Sequence, residues 1–183
     1  MTFHYYTKNK NLLLFIMAFF TSLFGTGQDS TIIKVGDAVP LFELVDKNDK
    51  LFSIKEHIGT NNMVIYFYPK DDTPSCTKEA CAFRDEIEIF NELDAIVIGI
   101  SSDSPESHRD FIKKYTLPFT LLSDPDNVAR DLFGVKGDLF GMIPGRVTFI
   151  IDKKGIILYI YNSQSNATKH VEESMRILKE NKK

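Results

Sequence analysis

The sequence predicts an α/β protein, a mixed sheet flanked by helices. Three observations carry that prediction: apolar runs suited to buried strands, helical periodicity between them, and a hairpin and helix that close the chain. The first pieces, LFELVD (41–46) and LFSI (51–54), are short, and the polar KNDK between them predicts a hairpin. MVIYFY (63–68), AIVIGIS (95–101), FTLL (119–122) and VTFIID (147–152) follow as near-continuous apolar runs. Runs without alternation predict strands covered on both faces. Ala80, Phe83, Ile87 and Phe90 recur at steps of three and four, predicting a helix from about Pro74 to Leu93. A second helix follows Ser104-Pro105 with Phe111, Ile112 and Tyr115 on its apolar side, and a shorter one covers 127–133. Lys153-Lys154-Gly155 turns VTFIID back into IILYIYN (156–162), an antiparallel hairpin, and a last helix carries Val171, Met175, Ile177 and Leu178.

Composition narrows the functional classes. With 43% hydrophobic and 26% charged residues in 183, the chain has the profile of one ordinary globular domain. Lys and Arg total 22 against 25 Asp and Glu, a net charge of −3, so no basic excess is available for a nucleic-acid partner. Cys76 and Cys81 are too few for a disulfide-dense mini-domain or an all-cysteine zinc site. The histidines, His4, His57, His108 and His170, are scattered without metal-ligand spacing, and each reads as a surface or loop residue. No metal or other cofactor is implied. Residues 1–27 differ from the rest: His4, Lys8 and Lys10 precede the apolar run Leu12–Phe24, and Gly25 and Gly27 follow it. That layout predicts a signal peptide cleaved near Gly27, the alternative being a membrane anchor over residues 12–24. It places the remaining single domain, 28–183, on the exported side, periplasmic or extracellular.

The chemically informative stretch is YFYPKDDTPSCTKEACAFRD (66–85), which runs from a buried strand through a loop into a helix. Sites in open α/β sheets gather at that edge. Thr73 is placed to cap the helix and Pro74 suits its first position. Cys76 then falls in the first turn, where free amides and the positive end of the helix dipole favour a thiolate nucleophile. The alternative is a small buried hydrophobe, since free cysteine is often inert. Cys81 lies about 140° round the helix, and in an unbroken helix the two Cα atoms are roughly 8.6 Å apart. Bridging without backbone movement requires less than about 7 Å, so a disulfide between them demands unwinding. The five-residue spacing also differs from a C-x-x-C reductase motif. Glu79 and Arg84 face neighbouring turns and are placed to pair with each other or with the pocket.

Pro69, Thr73 and Cys76 match the P-x₃-T-x₂-C pattern of peroxiredoxins, and a cysteine five residues later resembles the bacterioferritin-comigratory, or peroxiredoxin Q, subfamily. The resemblance covers about residues 35–180, from VGDAVPLFEL through GRVTFIID, with Ser75 departing from the glycine common before the first cysteine. It implies a thioredoxin-like fold with an N-terminal β extension, a peroxidatic Cys76, a resolving Cys81, and active-site roles for Thr73, Pro69 and Arg146. It further implies a thiol-dependent peroxidase acting on hydrogen peroxide and organic hydroperoxides, re-reduced by a thioredoxin-like dithiol, and a monomer or weak dimer. Residue chemistry agrees: a thiolate that attacks one oxygen of a peroxide becomes a sulfenic acid that condenses with a second thiol, and a guanidinium supplies directed donors for the departing oxygen. From spacing alone Arg146 reads better as a strand-end surface charge, and only the family resemblance reverses that. The competing functions are an exported thiol-disulfide oxidoreductase and a non-enzymatic redox or metal-binding module.

Overall fold

The structure, a computed structural model, describes residues 33–137 and 143–182. The apolar run 12–24 and the cleavage expected near Gly27 lie outside them. Among the described residues no helix is long and apolar enough to cross a membrane.

The expected hairpin forms from β1 (Glu43–Asp46) and β2 (Leu51–Ser53), and a 3-10 turn, Ile54–His57, leads into β3 (Asn62–Phe67). The helix predicted to reach Leu93 divides at Glu86 into α1 (Pro74–Asp85) and α2 (Ile87–Glu92). Spacing did not reveal the break because the apolar rhythm continues across it: Phe83 and Phe90 enter the same core, ring centroids 5.7 Å apart. β4 (Ala95–Ser101), α3 (Pro105–Tyr115), β5 (Thr120–Ser123), α4 (Val128–Leu132), β6 (Val147–Ile151), β7 (Ile157–Asn162) and α5 (Ala167–Asn181) complete the order. Ser104 caps α3 through its side chain, with Pro105 following, so this helix starts where the sequence places it.

The seven strands form one mixed sheet in the order β2-β1-β5-β4-β3-β6-β7. β3, β4 and β5 run parallel in the middle, and the outer pairings are antiparallel. The central apolar runs serve two cores, one on each face. Along β3, Met63, Ile65 and Phe67 enter the core that contains Phe133 and Phe149, while Val64, Tyr66 and Tyr68 enter the core under α1 and α5. Strand period two does the same in β6: Phe149 and Ile151 point one way and Ile150 the other. Arg146 and Thr148 share the parity of Ile150, which puts them on the α1 side. Since Val147 pairs with Phe67, Arg146 arrives at the sheet edge where β3 hands the chain over to α1.

Two histidines correct the sequence expectation. His108 in α3 and His170 in α5 are fully buried. Each fills its place by hydrogen bonding, His108 to Asp71 at 2.8 Å and His170 to Thr148 at 2.7 Å. An imidazole whose ring nitrogen finds a partner is cheaper to bury than one left unpaired, which spacing along the chain does not disclose.

Candidate active site

Cys76 is the third residue of α1 and only 2% exposed. The first i to i−4 bond of the helix runs from the Thr77 amide to the Thr73 carbonyl, 2.8 Å. The amides of Ser75 and Cys76 precede it and remain available beside the thiol. Thr73 stands at the cap position, but its side chain does not cap. Its hydroxyl donates back to the Lys70 carbonyl at 3.1 Å, which ties the loop and leaves the oxygen lone pairs free to accept. Here the structure corrects the capping expectation while keeping Thr73 in the site: Pro69, Thr73, Ser75, Cys76, Ile143, Arg146 and Gln164 line one cavity of about 380 Å³.

Arg146 is the hub of that cavity. It is 2% exposed, and its Nη2 donates to Cys76 Sγ and to Ser75 Oγ, each at 3.2 Å, while Nη1 donates to Glu79 Oε2. The surface-charge reading of Arg146 is therefore wrong. Burial pulls its pKa down, but the facing Glu79 and Cys76 outweigh burial and leave it raised. Glu79 is fully buried on the opposite side of the guanidinium, and does not pair with Arg84. Burial pushes its carboxyl up to about 8, against the downward pull of Arg146. Its other oxygen, Oε1, has no hydrogen-bond partner and lies 3.6 Å from His170 Nδ1. The tautomer of His170 follows from its neighbours. Nε2 faces the Ser163 carbonyl at 2.9 Å and must carry the hydrogen, so Nδ1 accepts from the Thr148 hydroxyl. Burial holds His170 down to about 4, with Arg146 adding to the effect. A neutral imidazole and a protonated Glu79 leave Arg146 as the uncompensated cation facing the thiol.

Sequence reasoning missed the braces around this core. Asp71 is buried and accepts the Tyr68 hydroxyl at 2.7 Å, the Ser107 hydroxyl at 2.7 Å and His108 at 2.8 Å, pinning the loop before α1 to α3. Arg130 reaches from α4 to the Gly145 carbonyl at 3.1 Å and the Tyr68 carbonyl at 3.2 Å, tying together the strand ends that carry Arg146 and the loop. Gly145 is required by close approach, because a Cβ there would meet the Lys136 carbonyl oxygen at 2.1 Å. The Asp71-Asp72 pair and the Gly-Arg dipeptide were visible as residues. Their partners lie tens of residues away, and no local pattern marks them.

Cys81 sits two turns along α1, half-buried, and both thiols are free. The helix is continuous between them, as the spacing argument requires for the reduced state. A second concavity of about 400 Å³ lies between the loop and α3 and contains neither cysteine. The Cys76 cavity brings together a buried thiol, a buried guanidinium on its sulfur, free helix amides and a hydroxyl rim. That set suits a nucleophilic thiolate whose attack expels an oxygen anion.

Comparison with known proteins gives a concordant result. The AhpC/TSA family model matches residues 35–160. Peroxiredoxin Q, chloroplastic, from Populus jackii is 50% identical over 146 residues, which is 80% of this chain and 68% of that protein. Among solved structures, peroxidoxin BcpB from Mycobacterium tuberculosis superposes with a TM-score of 0.75 at 33% identity, covering 81% of this chain and 97% of that one. The bacterioferritin comigratory protein of Xanthomonas campestris gives 0.72 at 29% identity over 80% and 100% of the two chains. The mixed sheet with its N-terminal hairpin is thus the thioredoxin-like architecture that the sequence resemblance implies.

Proposed function

Because the chain belongs to the AhpC/TSA family and is a thiol-dependent peroxidase of the peroxiredoxin Q kind, we propose that Cys76 is its peroxidatic residue and Cys81 its resolving one. The observation that carries this is the Arg146 guanidinium, buried, with Nη2 at 3.2 Å from Cys76 Sγ where the thiol opens onto the cavity. The Cys76 thiolate attacks the terminal oxygen of a hydroperoxide, an S–O bond forms and the O–O bond breaks. Cys76 becomes a sulfenic acid, and the departing oxygen takes up a proton as water or an alcohol. Arg146 donates to that oxygen as its charge develops, helped by the Ser75 and Cys76 amides. Thr73 accepts the hydroperoxide hydrogen through the lone pairs that its bond to Lys70 leaves free, and Pro69 walls the cavity against water.

Cys81 then displaces the sulfenic hydroxyl as water, giving the disulfide, and a thioredoxin-like dithiol restores both thiols. Pro69 and Ile143 give the cavity an apolar rim suited to the alkyl group of an organic hydroperoxide. The alkyl peroxide reduction activity of the Xanthomonas campestris relative is a parallel. We further propose that the apolar N-terminal segment is removed near Gly27 on export, a reading that an intact Met1 on the exported protein would end.

Single-turnover oxidation by peroxide tests the assignment. Cys76→Ser abolishes the reaction, whereas Cys81→Ser reacts once and accumulates sulfenic acid. An unchanged first step in Cys76→Ser would reverse the roles, and preferential reaction of the wild type with disulfides would favour a thiol-disulfide oxidoreductase.

A further inference from the structure

The two consecutive aspartates before α1 are held in opposite ways. Asp71 is buried under three donors from β3's end and α3, so it stays fixed. Asp72 is exposed and takes a left-handed φ of 54°, and its two oxygens are gripped separately, by Lys114 Nζ at 2.6 Å and by the Tyr115 hydroxyl at 2.6 Å. Beyond the cysteines, Arg84 Nη1 donates to the Tyr115 carbonyl at 2.8 Å. That carbonyl lies in the last turn of α3, which stops at Thr116 with φ 51°, so it has no amide of its own helix to accept and sits at the negative end of the dipole. One turn of α3 therefore holds the loop entering α1 at Asp72 and the helix itself at Arg84, and Cys76 and Cys81 lie between.

Resting on the Cys76–Cys81 bridge proposed above, we propose that Asp72, Lys114 and Tyr115 are positioning residues of the second chemical step, a latch whose opening sets the rate of disulfide formation. In that step Cys81–SH and Cys76–SOH become Cys76–S–S–Cys81 and water; an S–O bond is lost and an S–S bond gained. The wound helix keeps the sulfurs too far apart, so the first turns of α1 must open. Asp71 cannot follow, which makes Asp72 the first residue free to move. Both of its bonds face solvent, where ion pairs are weak and screened by salt, so the latch is releasable. While it is closed, the sulfenic acid stays in the cavity, exposed to a second peroxide and to over-oxidation.

The test uses Lys114→Met/Tyr115→Phe in the full chain. Phenylalanine keeps the ring that meets Phe111 edge-on at 5.3 Å, so the double variant removes the latch and spares the packing. Stopped-flow oxidation by hydrogen peroxide, with mass analysis of quenched samples, separates the two steps. The first step is expected to stay within about twofold of wild type and the second to quicken by about three- to tenfold. Over-oxidation to sulfinic acid falls in proportion. Added salt quickens the second step of the wild type and leaves that of the variant unchanged, and Asp72→Asn falls between the two. A second step unchanged or slowed in the double variant, or a first step slowed with it, overturns the latch. Absence of any Cys76–Cys81 bridge in the oxidised wild type overturns instead the reading on which the latch rests, and is seen before any variant is made.

Discussion

Arg146 contacts both the thiol and a buried acid, and that double contact makes the site's chemistry depend on Glu79. With the Glu79 carboxyl pushed up to about 8 by burial, it is mostly protonated at neutral pH, and the guanidinium's charge is directed at Cys76 and the departing oxygen. As pH rises through that value Glu79 ionises and takes the charge back. The rate of peroxide oxidation in Glu79→Gln relative to wild type is therefore expected to climb between about pH 7 and 9, by about fivefold, because a charge-assisted donor is freed only in the wild type's acid limb. A ratio independent of pH would show that Glu79 serves packing alone. Arg146→Met is expected to lose about 10²–10³ in rate, as removal of an oxyanion donor does, and to keep that deficit across about pH 5 to 9. Recovery of the rate at high pH would confine Arg146 to ionising the thiol. Pro69, Thr73, Cys76 and Cys81 stood out in the sequence because their types and spacing form a motif, whereas Arg146 stood out only through the family resemblance of GRVTF. Glu79 was visible only as a helix-face neighbour of Arg84, and its partner Arg146 is 67 residues away. The buried roles of His170, Thr148 and Arg130 depend on strand parity and helix docking, which the sequence does not spell out.

The helix that carries both cysteines is the element on which the chemistry turns. Helix α1 begins where Pro74 permits, presents Cys76, Glu79, Ala80 and Phe83 to the core, and leaves Ser75 and Lys78 to solvent. The strands were legible because apolar runs such as 63–68 and 95–101 are long and bounded by turns, and their pairing then follows from the βα alternation. The break at Glu86 was not, since apolar periodicity continues across it. Disulfide formation is expected to strip hydrogen-exchange protection from amides within 74–85, while those of β3 and β4 keep theirs, because local opening costs far less than unfolding the sheet. Exchange measured on the oxidised and reduced proteins decides this. Equal protection of α1 in the two forms, with the bridge verified by mass, would mean that the helix accommodates the disulfide without opening.

At the scale of the whole molecule the two buried groups behind Arg146 act against each other in stability. Glu79 binds its proton more tightly when folded, about 8 against an ordinary 4.5, so its contribution is complete below 4.5 and is lost as pH rises through 8. His170 is the reverse, held down to about 4 from 6.5, so its contribution is complete above 6.5 and is lost as pH falls through 4. Between 4.5 and 6.5 the two slopes oppose and largely cancel, since each is worth about 1.4 kcal/mol per pH unit at full proton difference. From 6.5 to 8 only the Glu79 slope remains. The other displaced groups act elsewhere: the exposed Asp72 and Asp94 are pushed down from 3.8 and the half-buried Glu173 from 4.5 by their cationic partners, and the buried tyrosines Tyr66 and Tyr68 up from 10.0. The reduced protein is thus expected to hold a near-level stability through mildly acid pH and to lose about 2 kcal/mol between pH 6.5 and 8, an order-of-magnitude figure. For a domain of this size that is a fall of roughly 4–8 °C in melting temperature. Glu79→Gln removes the fall, because an amide has no proton to lose, and His170→Gln leaves it in place while abolishing the compensation below 6.5. Thermal melts of the three reduced proteins from about pH 5 to 8 test the account. A wild type that gains stability from 6.5 to 8 would mean that Glu79 is ionised in the fold and that Arg146, rather than burial, governs it.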